Sequence, residues 1–524
     1  MARALGISLV LGALAFAPSC SPSSVRPQGD DRSDASARVK PTPLPPLEAV
    51  RTTLEATIEP VVERKNASEG ANPSFPAALV EYEKMGYGQT REAAGWERIV
   101  RTLPGDSPPP SGPNRRRLLR FVHMPDLQIA DDESPSRLAN LDMPTQIDAA
   151  MRPQDPDLCR MTHAAVRTIR ALHERDPFSF LLLGGDNADN AQTNEVTWAL
   201  DILEGKDDIE CDSGDDDDPI PGPDNDGKDP FASRGLGFPF YWVTGNHDVE
   251  VQGNLPVDDN LAAVTLGVSA TNGTRDYTQK GGPPRTGSFV VADPRRALLP
   301  RSELMQLIAN HGDGHGIGAT QIESGEATYA FDPPGDSPFR FVVIDTAHAP
   351  GGADGVIRRA HIDRIITPLL EQAKADGKWV FLSSHHSTQS LTSNGGAFGR
   401  EEPDAVLAPA WLAYLGGYPN VIGSFVGHTH RHRINALDAG GRPMWEMMTS
   451  AIADFPNQFR VYEIYDEDNG WLSIEATAVD FSTEGDKPAQ AGREKAVVDY
   501  VSGWITGGVG EPNDHNVQLW VKKP

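Results

Sequence analysis

Cysteine is scarce in this chain, and positive charge is outnumbered. Three cysteines among 524 residues, Cys20, Cys159 and Cys211, allow at most one internal disulfide and exclude a disulfide-dense framework. Lys and Arg total 47 against 74 Asp and Glu, a net charge of -27, which excludes a general nucleic-acid surface because phosphate backbones require basic patches. A polyanion could enter only at a local site. Long apolar runs are missing beyond the first residues: no other stretch approaches the roughly 18 residues that a spanning helix requires. Size is no obstacle to a large core or to two domains.

The start of the chain is the exception. Met1, Ala2 and Arg3 lead into "ALGISLVLGALAFA", too short for a membrane span and of the length of a signal-peptide core. The following "APSCSPSS" is similar to the lipobox of bacterial lipoproteins, from which Ala17 and Pro18 depart. Either Cys20 carries a lipid and tethers the protein to a membrane, or the leader is cleaved and the protein is released. Both routes end in the cell envelope or outside it, where Cys159 and Cys211 are free to pair.

Residues 21–46 are rich in Ser, Pro, Arg and Asp without apolar periodicity and read as an extended tether. A weakly patterned flank covers 47–117. Organised sequence occupies 118–482, and 483–524 forms a C-terminal extension. Within the organised part, apolar runs alternate with helix-like ones. "LRFVHM", "FSFLLLGGD", "FPFYWVTGNHD", "FRFVVIDT", "KWVFLSSHH" and "NVIGSFVGHTH" read as strands. "LCRMTHAAVRTIRALHE" and "HIDRIITPLLEQAKADG" read as amphipathic helices, the second closed by Gly377. Nearly continuous apolar strands are buried on both faces, so the pattern predicts a layered α/β domain. The acidic stretch 207–230, rich in turn formers, reads as a solvated surface insertion; its "DNDGKD" resembles a calcium loop but lacks the Glu that completes an EF-hand.

Five strand ends run directly into polar residues: Asp126, Asp186, Asn246, His385 and His428. Ligand sites in α/β sheets lie beyond strand ends, and one polar strand end is common whereas five are not. Taken in order, "DLQ", "GGDNADN", "GNHD", "SSHH" and "GHTHRH" resemble the motifs of the calcineurin-like metallophosphoesterase superfamily, over about Arg120 to Glu463. The resemblance implies a four-layer αββα sandwich of the metallophosphoesterase type with surface insertions. It also implies a hydrolase acting on phosphomonoesters or phosphodiesters through a binuclear metal centre and a bridging hydroxide, since a metal pair both activates water and compensates the phosphoryl charge.

Carried onto this chain, Asp186 bridges the two ions; Asp126, Gln128 and His430 complete one site, and Asn246, His385 and His428 the other. His247 contacts phosphate and protonates the leaving oxygen, with Asp248 as its orienter. Gln128 replaces the usual His and favours oxygen-preferring metals, Mn²⁺ first, with Mg²⁺, Zn²⁺ and Fe as alternatives. "DLQIAD" is similar to the opening motif of Mn²⁺-dependent ADP-ribose/CDP-alcohol diphosphatases. "SPSRL", "RPQ", "GDNADNAQTNE" and "DFPNQFR" resemble uncharacterised bacterial metallophosphoesterases. Asp189 and Asn190 fit support of the bridging carboxylate, His386 is the alternative to His385, and His311 and His315 sit in a Gly-rich loop able to reach substrate. His123 reads as a core residue. The rival reading is a catalytically weak lipoprotein that keeps the scaffold and binds a partner.

Overall fold

The computed structural model describes residues 40–66, 70–144, 147–348, 350–392 and 401–523; the leader, Cys20 and most of the tether lie outside them. All elements below belong to the unit spanning Pro41–Pro524. Along the chain come strands β1 (Arg98–Arg101) and β2 (Arg116–Met124), helix α1 (Leu158–Arg175), strand β3 (Leu181–Leu183), helix α2 (Thr193–Glu204) and strand β4 (Phe240–Tyr241). Strands β5 (Tyr329–Phe331) and β6 (Phe339–Val343), helix α3 (Thr367–Ala375), strand β7 (Trp379–Ser383), helix α4 (Ala408–Leu415) and strand β8 (Val421–Val426) follow. The series closes with β9 (Arg433–Ala439), β10 (Arg442–Met448), β11 (Gln458–Asp466), β12 (Trp471–Asp480), helix α5 (Lys487–Ser502) and β13 (Asn516–Lys522).

These strands form two sheets. One has seven strands in the order β1-β13-β12-β11-β2-β3-β4, the other six in the order β5-β6-β7-β8-β10-β9. Their inner faces meet through aromatic rings: Phe121 of β2 lies 5.4 Å from Phe341 of β6 and 5.2 Å from Phe425 of β8, which in turn packs 4.8 Å from Tyr462 of β11. Edge-on ring pairs of this kind add to the burial energy that holds the sheets together. Helices α1 and α5 pack on each other outside the first sheet, and the apolar faces of α3 and α4 join β6, β7 and β8 in a second core on the outer side of the other sheet. The result is the four-layer αββα sandwich that the motifs imply.

What positions the site is direction. β2, β3 and β4 run parallel to one another, as do β6, β7, β8 and β10. Their C-terminal ends deliver the five polar strand ends. Residues 47–117 and 483–524 both contribute to the layers, since β1 and β13 pair in parallel at the edge of the first sheet.

Cys159, on α1, and Cys211 are joined in a disulfide with their Cα atoms 6.6 Å apart. This bridge anchors the start of the acidic insertion. Cys211, Asp212 and Ser213 are buried, as are Gly227, Lys228 and Asp229, so the stretch is open to solvent at its first residues, Asp207 and Asp208, and through its middle. Among the described residues no helix is long and apolar enough to cross a membrane.

Candidate metal centre

The turns after β2, β3 and β8 carry unusual backbone. Asp126, Gln128, Asp186, His428 and His430 all have positive φ, at 55°, 43°, 53°, 80° and 51°. Residues with a Cβ disfavour this region by about 1–3 kcal/mol each, and such outliers cluster at functional sites. The turns are locked by cross-chain bonds: the Asp126 amide donates to Gly185 O at 2.9 Å, and the Gln128 amide to Asp186 O at 2.8 Å. Gly245 lets the β4 turn approach Asp186, because a Cβ there would stand 2.1 Å from Asp186 Oδ1.

The side chains converge. Asp186 Oδ2 lies 2.9 Å from His385 Nε2, and Asp186 Oδ1 accepts the His247 amide at 2.9 Å. His385 donates Nδ1–H to Gly184 O at 2.8 Å, which leaves Nε2 facing the cluster, 3.3 Å from His428 Nδ1. Asp126 accepts the His428 amide at 3.2 Å, and its Oδ1 is 3.4 Å from His430 Nε2. Ligand atoms of Asp126, Asp186 and His385 lie within 4.8 Å of one another, as do those of His385, His386 and His428.

Two orphaned atoms test whether these residues fit metal. Asn246 donates Nδ2–H to Gly253 O at 2.9 Å, and its buried Oδ1 has no partner among the described residues. His386 holds Thr346 Oγ1 through Nδ1 at 2.9 Å, while its buried Nε2 has no partner among the described residues. Buried acceptors without partners are costly and rare, so the set Asp186, Asn246, His385 and His428 fits a divalent ion, with His386 adjoining it.

The other set fits less completely. Asp126, Asp186 and His430 are arranged for an ion, but Gln128 turns its Oε1 onto the guanidinium of Arg152 and its Nε2 toward Asp186 at 3.4 Å. The Gln128 oxygen would reach an ion only by sharing itself between that ion and Arg152.

Charge explains the protonation of this cluster. Burial lowers the affinity of His385 and His430 for a proton, but Asp186 in the first case and Asp126 with Asp454 in the second outweigh it, lifting them to about 9 and about 10. Burial and neighbouring His385 drive His428 down to about 3. Burial opposes the charge of Asp186, yet the surrounding imidazoles hold it well below the usual carboxylate range. A cluster that demands this much positive charge suits cations in place of protons.

His247 sits at the margin, 8% exposed. Its Nδ1 is 3.1 Å from Asp189 Oδ1 and 3.0 Å from the Asp189 carbonyl. Asp189, rather than Asp248, is therefore its orienter. Burial disfavours the imidazolium, but Asp186 and Asp189 prevail and the His247 pKa is raised. Asp248 instead accepts from the amides of Gly245, Asn187 and Ala188 at 2.8, 2.9 and 3.0 Å, pinning two turns together. Asn190 bonds Asp189 and Glu195, with no bond to Asp186. His311 and His315 face Glu204 at the end of α2, and His315 stacks on Phe240, so the Gly-rich loop does not bring them to the strand-end cluster. His123 is a fully buried strand residue bonded to Thr449.

Sequence reasoning did not find the buried ionic layer beneath the cluster. Arg137 pairs with Asp155 at 2.7 Å and Asp189 at 2.9 Å; Arg152 pairs with Asp454 at 3.0 Å; Asp454 accepts His430 Nδ1–H at 2.5 Å and Gln154 Nε2–H at 3.0 Å. Both arginines are fully buried. Glu195 ties down the amides of Asp131 and Asn190. The segments "SPSRL", "RPQ", "GDNADNAQTNE" and "DFPNQFR" thus meet in one place, and their recurrence as a set was the available signal.

No family model matches the chain, and no curated protein is matched by it. Solved structures are. A dimetal phosphatase from Danio rerio aligns at 12% identity over 70% of this chain and 100% of its own, with a TM-score of 0.40. The sulfate thiohydrolase SoxB from Thermus thermophilus aligns at 13% identity over 75% of this chain and 61% of its own, TM-score 0.31. The purple acid phosphatase PPD1 from yellow lupin (Lupinus luteus) seeds aligns at 13% over 74% and 55%, TM-score 0.27. These are partial superpositions of remote sequences, so the functional reading stands on the side chains gathered at the strand ends.

Proposed function

We propose that this protein is a metal-dependent phosphoesterase that hydrolyses a phosphomonoester or phosphodiester. The observation that carries the reading is the convergence of Asp126, Asp186, Asn246, His385, His428 and His430 from five strand ends of two sheets, with Asn246 Oδ1 buried and without a partner among the described residues. Asp186 stands between the two ligand sets. Two divalent ions held there would activate water and neutralise the transferring phosphoryl group. Carboxylate and amide oxygens among the ligands favour Mn²⁺, with Mg²⁺, Zn²⁺ and Fe as alternatives.

The chain's own contribution to the reaction is proton placement and orientation. His247 is held by Asp189 through Nδ1, so Nε2 is the atom that binds phosphate and delivers a proton to the leaving oxygen. Asp248 acts indirectly, by fixing the turn on which Asn246 and His247 stand. The disulfide fits an oxidising compartment, in line with a secreted or envelope protein, lipid-anchored where Cys20 is modified.

The test is hydrolysis of bis(p-nitrophenyl) phosphate with Mn²⁺ by the chain that starts after Cys20, beside Asp186→Asn. Activity in the parent that is abolished in the variant supports the proposal; near-normal activity in the variant removes the two-metal reading. One observation favours the rival, a catalytically weak binding protein: Arg152 occupies the oxygen that Gln128 would offer to an ion. Inactivity of the parent with Mn²⁺ and with the other divalent ions would favour that rival.

A further inference from the structure

Apart from the strand-end cluster, the acidic insertion meets the turn that follows β2. Glu133 lies in that turn, seven residues beyond Asp126 in the sequence. Ligand atoms of Glu133, Asp216 and Asp217 lie within 4.8 Å of one another. Glu133 is 6% exposed, and its Oε2 is buried with no hydrogen-bond donor among the described residues; Arg296 Nη2 lies 3.6 Å away, and Arg296 already serves Asp131 at 2.8 Å. Asp217 Oδ2 is likewise buried without a donor among the described residues, and the Glu133 and Asp217 carboxyls face each other. Nearby Asp212 is buried, accepts the Asp217 amide through Oδ2 at 3.0 Å and has an Oδ1 without a partner among the described residues. The buried ammonium of Lys228 answers only part of this charge, since it is bonded to Asp132 at 2.6 Å.

We infer that Glu133, Asp216 and Asp217 form a binding site for a hard divalent cation, Ca²⁺, that fastens the acidic insertion to the turn following Asp126 and Gln128. Three carboxylates at this spacing supply oxygen only, and Ca²⁺ takes six to eight oxygens with flexible geometry, so carbonyls and water complete the shell. Imidazole is absent from the set, which separates it chemically from the strand-end cluster. Asp216 is exposed, so an ion can enter from solvent.

The experiment is calorimetric titration of Ca²⁺ into the chain that starts after Cys20, with Mn²⁺ present throughout to saturate the strand-end cluster. Expected is one Ca²⁺ site with a dissociation constant of about 10⁻⁴ to 10⁻³ M, as in extracellular oxygen-ligated modules, weakened at least tenfold in Glu133→Gln and in Asp216→Asn. Asp216 is a surface residue, so its variant folds even where the buried Glu133 substitution does not. Asp186→Asn should bind this Ca²⁺ unchanged. Absence of Ca²⁺ binding by the parent, or equal binding by Asp216→Asn, overturns the site. Loss of Ca²⁺ binding in Asp186→Asn but not in Asp216→Asn would place the ion in the strand-end cluster and also overturn it.

Discussion

Asp454→Asn isolates the ionic layer from the ligands it supports. Asp454 accepts the Nδ1–H of His430 through one oxygen and forms an ion pair with the Arg152 guanidinium through the other. The amide cannot serve both as a charge partner. A ligand histidine that loses its carboxylate becomes less basic and less well oriented, which costs metal affinity about 10- to 100-fold, or about 1.4–2.8 kcal/mol. Removing one partner of a buried pair costs about 3–5 kcal/mol of stability; Arg152 keeps Gln128 and lies 3.8 Å from Asp189, which places the loss near the lower end. Every ligand remains in the variant. Raised Mn²⁺ should therefore restore kcat, so that the half-saturating Mn²⁺ concentration moves up by one to two decades while the plateau stays near the parent's. A plateau that falls with no change in Mn²⁺ dependence would refute this account, as would Mn²⁺ dependence identical to the parent's together with an unchanged melting temperature.

Gln128→His should retain activity and shift metal preference from Mn²⁺ toward Zn²⁺, because an imidazole replaces an amide and Arg152 loses its acceptor; identical metal profiles would contradict the role given to the amide. Stability of the chelated protein has a defined pH sign: His385 and His430 sit at about 9 and about 10, above the roughly 6.5 of the unfolded chain, so their contribution is full below pH ~6.5 and disappears as pH rises through 9 to 10. Thermal unfolding in EDTA at a series of pH values should show this decline, and a stability that rises across the same window would count against it. Reduction of the Cys159–Cys211 bridge frees a loop of 52 residues and should lower stability by about 4 kcal/mol; a denaturant midpoint unmoved by reductant would show that the unfolded chain gains no freedom there.

The polar strand ends were legible and the ionic layer beneath them was not, for a physical reason. Asp126, Asp186, Asn246, His385 and His428 each follow a buried apolar run, and polar residues at strand ends stand out against such runs. Arg137 and Arg152 follow no such run, and an arginine in an irregular stretch reads as surface. Their burial depends on partners far along the chain: Arg152 and Asp454 are some 300 residues apart, and only folding brings them together. The same holds for Asp189, whose true neighbour, His247, lies in another turn. The short β3 and β4 were recognised by apolar content that exceeds their three and two paired residues. By contrast, β1, β5 and β9 to β13 were overlooked because their apolar residues are interrupted by polar ones and do not form a continuous run that ends in a ligand-like motif.

The division of the cluster between layers has a mechanical consequence. Asp126, Asp186 and Asn246 stand on the seven-stranded sheet, His385 and His428 on the six-stranded one, and the bond from His385 to Gly184 O crosses the seam. Ions bound there would act as rivets between two plates, and sliding of the plates by an ångström would spoil both ligand sets at once. Trimming a ring in the seam, Phe425 for example, should thus be felt as weaker metal retention well before the protein unfolds.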